Sequence, residues 1–172
     1  MDVYTCVRER STVRQFSLDP IPESLINKLL LAARWAPSSR NKQPWHLIVV
    51  KDKVVVKKLG QVASSGQFIA HAPLIIALAM ENADSPLLDA GRAIQQMELV
   101  AWEEGLGTCF VGPLSTREQN MAKEILRIPN PMELITLLPF GYRIGRQNGK
   151  RRKPLSEIAH SEQFGNQYIP SR

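Results

Sequence analysis

Residues 86–104, PLLDAGRAIQQMELVAWEE, form the longest stretch that reads as one helix, and its apolar side chains do not keep to one face. Leu88, Ala93, Ile94, Met97, Leu99, Val100 and Trp102 spread around the cylinder, so the helix needs cover on two sides. A sheet can supply one side. The other is left to a partner subunit or to further elements of the same chain. Gly105 is well placed to end the helix.

The rest of the chain supplies that sheet in short pieces. Asp2 to Arg10 reads as a short helix. Pro22 suits a first helical position, and Leu25, Ile26, Leu29, Leu30 and Ala33 recur at helical spacing until about Trp35, before Pro37. Trp45–Val50 is a compact run rich in β-branched residues and predicts a buried strand, with Asp52 capping a helix to about Ala63. Leu74–Met80 predicts a second strand and Gly107–Gly112 a third. Ser115-Thr-Arg-Glu118 matches a capping box opening a helix to about Arg127. Glu133–Leu138 leads into Pro139–Tyr142 as another strand, and Pro139 predicts an irregular end or an edge position. No repeat or linker interrupts the chain, so residues 1–172 are expected to form a single domain. Residues 165–172 are expected to form a flexible or partner-contacting tail. The pattern is α+β, a mixed α/β arrangement with helices around one sheet.

Composition narrows the function. With 44% hydrophobic and 22% charged residues the chain reads as an ordinary globular protein without a membrane partner, since no apolar run reaches the length of a span. Met1–Tyr4 lacks the charged start and apolar core of a signal peptide. Cys6 and Cys109 are far apart and show no metal-like spacing, which favours a reduced cytoplasmic setting. The net charge of +6 keeps nucleic acid among the conceivable partners. Much of that excess lies in Arg143–Lys153, a segment without interleaved aromatics, and no RNP, KH or helix-turn-helix signature is present. A phosphate-bearing small ligand accounts for the clustering with fewer assumptions, and no nucleic acid is expected.

Two basic knots, Arg10-Ser-Thr-Val-Arg14-Gln-Phe16 and Lys150-Arg-Arg152-Lys-Pro-Leu155, flank the polar loop Ala36-Pro-Ser38-Ser39-Arg-Asn41-Lys-Gln43-Pro-Trp45. Arg forks, Lys and hydroxyls converging from separate elements suit a phosphate, and Ser, Asn and Gln suit a heteroatom-rich ring. Taken singly, each knot reads as a solvated surface cluster. In this order, from about Val7 to about Phe164, the three segments resemble the nitroreductase family of FMN-dependent NAD(P)H oxidoreductases. The proline–tryptophan loop carries most of that resemblance.

The resemblance implies a nitroreductase-like fold: a central, mainly antiparallel sheet surrounded by helices in an intertwined homodimer, with two FMN sites at the interface. It places Arg10, Ser11 and Thr12 around the FMN phosphate and ribityl chain, and Arg14 nearer the pyrimidine edge of the flavin. Many relatives carry Arg or His where this chain has Ser11. Pro37, Ser38, Ser39, Asn41 and Gln43 form the second group, with Pro37–Ser39 reaching the cofactor of the opposite subunit. The competing reading of that loop is a helix-ending turn whose Ser and Asn side chains satisfy local backbone groups. Lys150 and Arg152 match the family's Lys-x-Arg pair at the phosphate, and alternation in an extended segment turns Arg151 and Lys153 away. Gly149 beside them makes that segment a candidate for mobility. Phe110, Val111 and Gly112 are placed beside the flavin ring, and Gln67 aligns loosely with a polar position near the pyrimidine.

Other motifs carry less. Gly105–Gly112 superficially resembles a dinucleotide fingerprint, but the third glycine is misplaced and the segment follows a helix where that fingerprint needs a strand. His46, His71 and His160 have no metal-ligand spacing, and Cys109 reads as a small core residue. The expectation is therefore an FMN-dependent oxidoreductase, with NAD(P)H as reductant and a nitroaromatic or quinone as small acceptor, working by a ping-pong mechanism. The alternatives are another reductive flavin reaction, such as dehalogenation or flavin processing, and a non-enzymatic basic nucleic-acid-binding module.

Overall fold

The computed structural model describes residues 1–145 and 150–169. Five helices surround a four-stranded sheet among these residues: α1 Val3–Glu9, α2 Glu23–Arg34, α3 Lys53–Val62, α4 Pro86–Glu103 and α5 Thr116–Leu126, with β1 Trp45–Val50, β2 Leu74–Met80, β3 Leu106–Thr108 and β4 Glu133–Tyr142. Every neighbouring pair in the order β1-β2-β4-β3 is antiparallel. The α+β expectation holds.

Strand β2 explains the layering. All seven of its residues are buried. Its alternation sends Leu74, Ile76, Leu78 and Met80 to one face and Ile75, Ala77 and Ala79 to the other. The first set packs with Ile26, Leu29 and Ala33 of α2 and Ala93, Ile94 and Met97 of α4. The second packs with Val56 and Leu59 of α3, Ala122 of α5 and Leu134 and Leu137 of β4. A sheet with helices on both faces follows from that one strand.

Helix α4 gains its second cover largely within the protomer. Trp102 packs with Cys6 of α1 and with Val13. At the other end of the helix Leu87 and Leu88 remain exposed. The helix boundaries follow local chemistry. Asp52 accepts from the N–H groups of Val54 and Val55, and Ser115 and Glu118 complete a reciprocal capping box. Pro22 occupies the N-cap of α2 and not its first turn.

Three strand expectations are corrected. Trp45–Val50 is a half-buried edge strand, because nothing in the described chain pairs with its free side. The third strand is shorter than Gly107–Gly112: regular pairing stops at Thr108 and resumes only as a single bridge between Val111 and Leu137. Strand β4 runs unbroken through Pro139 and is internal, between β2 and β3. Beside Pro139 the β3 partner has just ended, at the Thr108–Phe140 pair, so a residue without an amide hydrogen fits there.

Candidate cofactor site

The first basic knot is laid onto the sheet by two glycines. After α1 the chain runs extended, Val13 N–H donates to Thr108 C=O at 2.9 Å, and Thr12 bridges Thr108 in parallel. Gly107 and Gly141 face each other across β3 and β4. A Cβ on Gly107 would stand 2.6 Å from Val13 Cβ, and one on Gly141 would stand 2.6 Å from Phe16 Cβ. Only glycine lets this segment lie so close. Alternation then buries Ser11 and Val13 and leaves Thr12 and Arg14 exposed.

Arg10 is the C-cap of α1, and its guanidinium pairs with Glu98 of α4 at 3.5 Å. Lys150 joins this cluster from the C-terminal segment. Burial, then Arg10 and Arg152, push its ammonium below the usual lysine range, and Glu98 opposes the shift. Burial pushes the Glu98 carboxyl up, while Arg10 and Lys150 pull it down. Two cations, Arg10 and Lys150, thus converge on one buried carboxylate, with Arg152 beside Lys150. Beside them lie the buried Oγ of Ser11 and Oγ1 of Thr108, neither with a hydrogen-bond partner. Buried hydroxyls are almost always paired, so two orphans next to surplus positive charge call for an acceptor-rich anion.

A second group adjoins the first. The Arg14 guanidinium reaches the Cys109 thiol, whose pKa burial raises and Arg14 lowers. Cys109 leads into exposed Phe110, buried Val111 and Gly112. Gln67 follows Gly66, where a Cβ would stand 2.4 Å from a Val111 methyl, so the Gln67 turn abuts the same segment. Gln67 also lines a cavity of about 930 Å³ rimmed by Lys51, Lys53 and Lys57. Arg14 thus lies beside the segment that leads to Phe110–Gly112, while Gln67 adjoins that segment through Gly66 and lines a cavity that none of those residues lines.

The polar loop lies elsewhere. Ser39 N–H donates to both carboxylate oxygens of buried Asp89, near the start of α4, at 3.1 Å each. Asp89 also accepts from Arg92 at 3.2 Å. Ser38 Oγ accepts from Gln43 N–H at 2.9 Å, and Gln43 Nε2 donates to Asn41 C=O at 3.3 Å. Ser38 and Gln43 thus serve local backbone groups within the protomer. Pro37 lines a groove of about 460 Å³ with Leu87, Leu88 and Gln96. Asp89 anchors the loop and Glu98 anchors the cations, nine residues apart on α4. At 1.5 Å per residue that is roughly 14 Å along the axis. Within one protomer the third segment does not join the first two.

Several contributing residues carry no local sequence signal: Glu98, Asp89 and Thr108. Arg143, counted within the basic stretch, is structural. Its guanidinium donates to the carbonyls of Trp102 and Leu106 and stacks 3.8 Å from the centre of the Trp102 ring. The expectation of mobility at Gly149 lies outside the described residues, as do residues 170–172 of the tail. Residues 165–169 are exposed. Among the described residues, no helix is long and apolar enough to cross a membrane.

The chain is similar to known proteins in sequence and in fold. The profile described as the Nitroreductase family matches residues 7–73 and 63–142. The chain is 33% identical to an NADH dehydrogenase of Thermus thermophilus, covering 92% of this chain and 95% of that one. It is 25% identical to an FMN reductase [NAD(P)H] of Bacillus subtilis, covering 96% and 76%. An FMN-dependent nitroreductase of Clostridium difficile superposes with a TM-score of 0.85 at 25% identity, over 92% of this chain and 98% of that one. From the cation cluster through the strand order to the sequence match, the chain belongs to the nitroreductase family.

Proposed function

We propose that the protein is an FMN-dependent oxidoreductase that passes electrons from NAD(P)H to a small acceptor, a nitroaromatic or quinone, at a site completed by two subunits of a homodimer. The separation of Asp89 from Glu98 along α4 carries the two-subunit part of this reading. One protomer supplies the cations and the ring-side segment, and the polar loop of the second would complete the site.

The residues fit FMN. Arg10, Lys150 and Arg152 supply charge for its phosphate, and the unpaired hydroxyls of Ser11 and Thr108 supply donors. Arg14, which reaches Cys109, and the Phe110–Gly112 segment that follows would line the ring. When bound, the flavin supplies the redox chemistry, taking hydride from the nicotinamide and returning electrons to the acceptor. The protein's own residues bind, orient and exclude water. Arg14 places a cation where two-electron reduction leaves negative charge, and lowers its cost.

Exposed apolar residues support the dimer. Tyr4 of α1 is 73% exposed, Trp35 77% and Phe164 93%, and Ile158 and Ile169 are open along the tail. These side chains, on α1, after α2 and along the C-terminal segment, are apolar surface that a second subunit could cover. The single-domain organisation and a cytoplasmic setting complete the reading, and Cys6 and Cys109 are free, buried thiols in accord with the latter.

Donor and acceptor share one space over the ring, so NAD(P)H leaves before the acceptor binds. Stopped-flow absorbance separates the two half-reactions. Parallel double-reciprocal lines are expected, and intersecting lines with a demonstrated ternary complex would contradict the shared space. In the FMN-loaded Arg14→Ala variant the flavin potential is expected to fall and reduction to slow. An unchanged potential removes Arg14 from that role.

A further inference from the structure

In the reading above Glu98 only marks where the cations are anchored, yet its carboxylate lies among the groups assigned to the phosphate. It sits on the second half of α4 and is only 8% exposed. A carboxylate in that position repels the very group the neighbouring cations attract. If its task were only to tie α1 to α4, an uncharged hydrogen-bonding partner for Arg10 would serve without that conflict.

We propose that Glu98 is an ionisable member of the cofactor site: it neutralises Arg10 and Lys150 when the phosphate is absent, and it takes up a proton when the phosphate dianion docks against them. Binding is then an exchange. Arg10 turns its donors from Glu98 to the phosphate, a proton from solvent neutralises the carboxylate, and no charge is left buried without a partner. FMN affinity therefore falls as pH rises. This inference rests on the FMN reading and specifies how the site accepts and releases the cofactor.

The surroundings of Glu98 support the exchange. Arg10 approaches it from the end of α1, and Lys150 from the C-terminal segment, with Arg152 beside Lys150. Burial raises the Cys109 thiol after β3, Arg14 lowers it, and the charge on Glu98 adds to the rise. Burial outweighs the pull of Arg10 and Lys150 and raises the Glu98 carboxyl above the ordinary range. A phosphate that engages both cations removes that pull and adds a like charge. Lys150 is pushed the opposite way and also gains proton affinity on binding. A test must separate the two groups.

The test is FMN binding to wild-type protein and Glu98→Gln from pH 6.5 to 8.5, followed by flavin fluorescence. Proton uptake is counted by calorimetry in buffers of different ionisation enthalpy. The phosphate's own second ionisation, near pH 6, lies below this window. Glu98→Gln is expected to bind FMN about tenfold more tightly at pH 8.5, the effect of removing one like charge. The two affinities converge as the pH falls, and the wild type takes up more protons per FMN than the variant. Because the charge on Glu98 supports that on Lys150, the same comparison is made in a Lys150→Arg background, where that position stays charged and only Glu98 can change the count. A purely structural clamp predicts the opposite sign, weaker binding by Glu98→Gln at every pH. That result, or equal proton uptake, overturns the proposal. Should the variant fail to fold, the infrared difference spectrum of wild-type protein with and without FMN at pH 7.5 decides: a new protonated-carboxyl band supports the exchange, and its absence overturns it. Wild-type protein that binds no FMN overturns the cofactor reading and this inference together, whereas FMN binding without a Glu98 effect overturns the inference alone.

Discussion

The backbone N–H of Ser39 is held by both oxygens of the buried Asp89 carboxylate, which fixes the proline–tryptophan loop to the first turn of α4. The same carboxylate accepts from Arg92. In Asp89→Ala both donors lose their acceptor, and for the half-buried Ser39 N–H, which water can partly satisfy, the cost is about 1 kcal/mol, the low end of the range for an unpaired donor. Chemical denaturation is expected to show a loss of that size. FMN affinity falls with it, since the loop would no longer present Pro37–Ser39 to the neighbouring subunit. Unchanged affinity in the folded variant separates the loop from the site.

Gly107 lies under Val13, and the basic knot keeps its position only while that contact has no Cβ. Gly107→Ala forces Val13 and the strand-like segment around it to shift. Overpacking of this kind costs about 1–3 kcal/mol. Because Arg10 to Arg14 ride on the same segment, FMN binding is expected to weaken beyond the loss in stability. Comparing denaturation midpoints with flavin titrations checks both effects.

Arg152 approaches Lys150 closely enough to lower its proton affinity, and its own side chain is exposed. Arg152→Ala is expected to weaken FMN retention by roughly 1.5–3 kcal/mol, the worth of one charge-assisted contact, with the thermal midpoint unchanged. Flavin fluorescence after dilution measures the retention directly. An unaltered affinity places Arg152 outside the cradle.

Glu118 ties two helices near the ring-side segment. Its carboxylate accepts from Ser64 N–H at 2.9 Å, Ser64 Oγ at 2.6 Å and Ser115 N–H at 2.7 Å. These bonds hold its pKa down at about 2 against an ordinary 4.5. The folded pKa is depressed, so the stabilisation is complete above pH 4.5 and disappears as the pH falls towards 2. Glu118→Gln is expected to melt at a lower temperature than wild type at pH 7, with the gap closing between pH 4.5 and 2. A gap independent of pH would assign the loss to shape and not to charge.

The parts of the fold that were legible in the sequence are those written locally. The Asp52 cap, the Ser115–Glu118 box and the apolar run of Leu74–Met80 each state their structure within a few residues. Pro139 misled because its tolerance depends on where β3 ends, a fact belonging to another strand. Trp45–Val50 has the composition of a buried strand, but its edge position depends on which strands lie beside it. The site divides in the same way. Arg10 and Lys150 were readable as motifs. Glu98 looks like any helix-surface carboxylate until α1 and the C-terminal segment close over it.

The central claim is that two chains together build one FMN site. Sedimentation velocity of FMN-loaded protein, recorded at both protein and flavin wavelengths over a range of concentrations, tests it most directly. Flavin absorbance is expected to travel with a dimer at one FMN per chain and to be lost as dilution dissociates the dimer. A monomer that retains its full complement of FMN would contradict it.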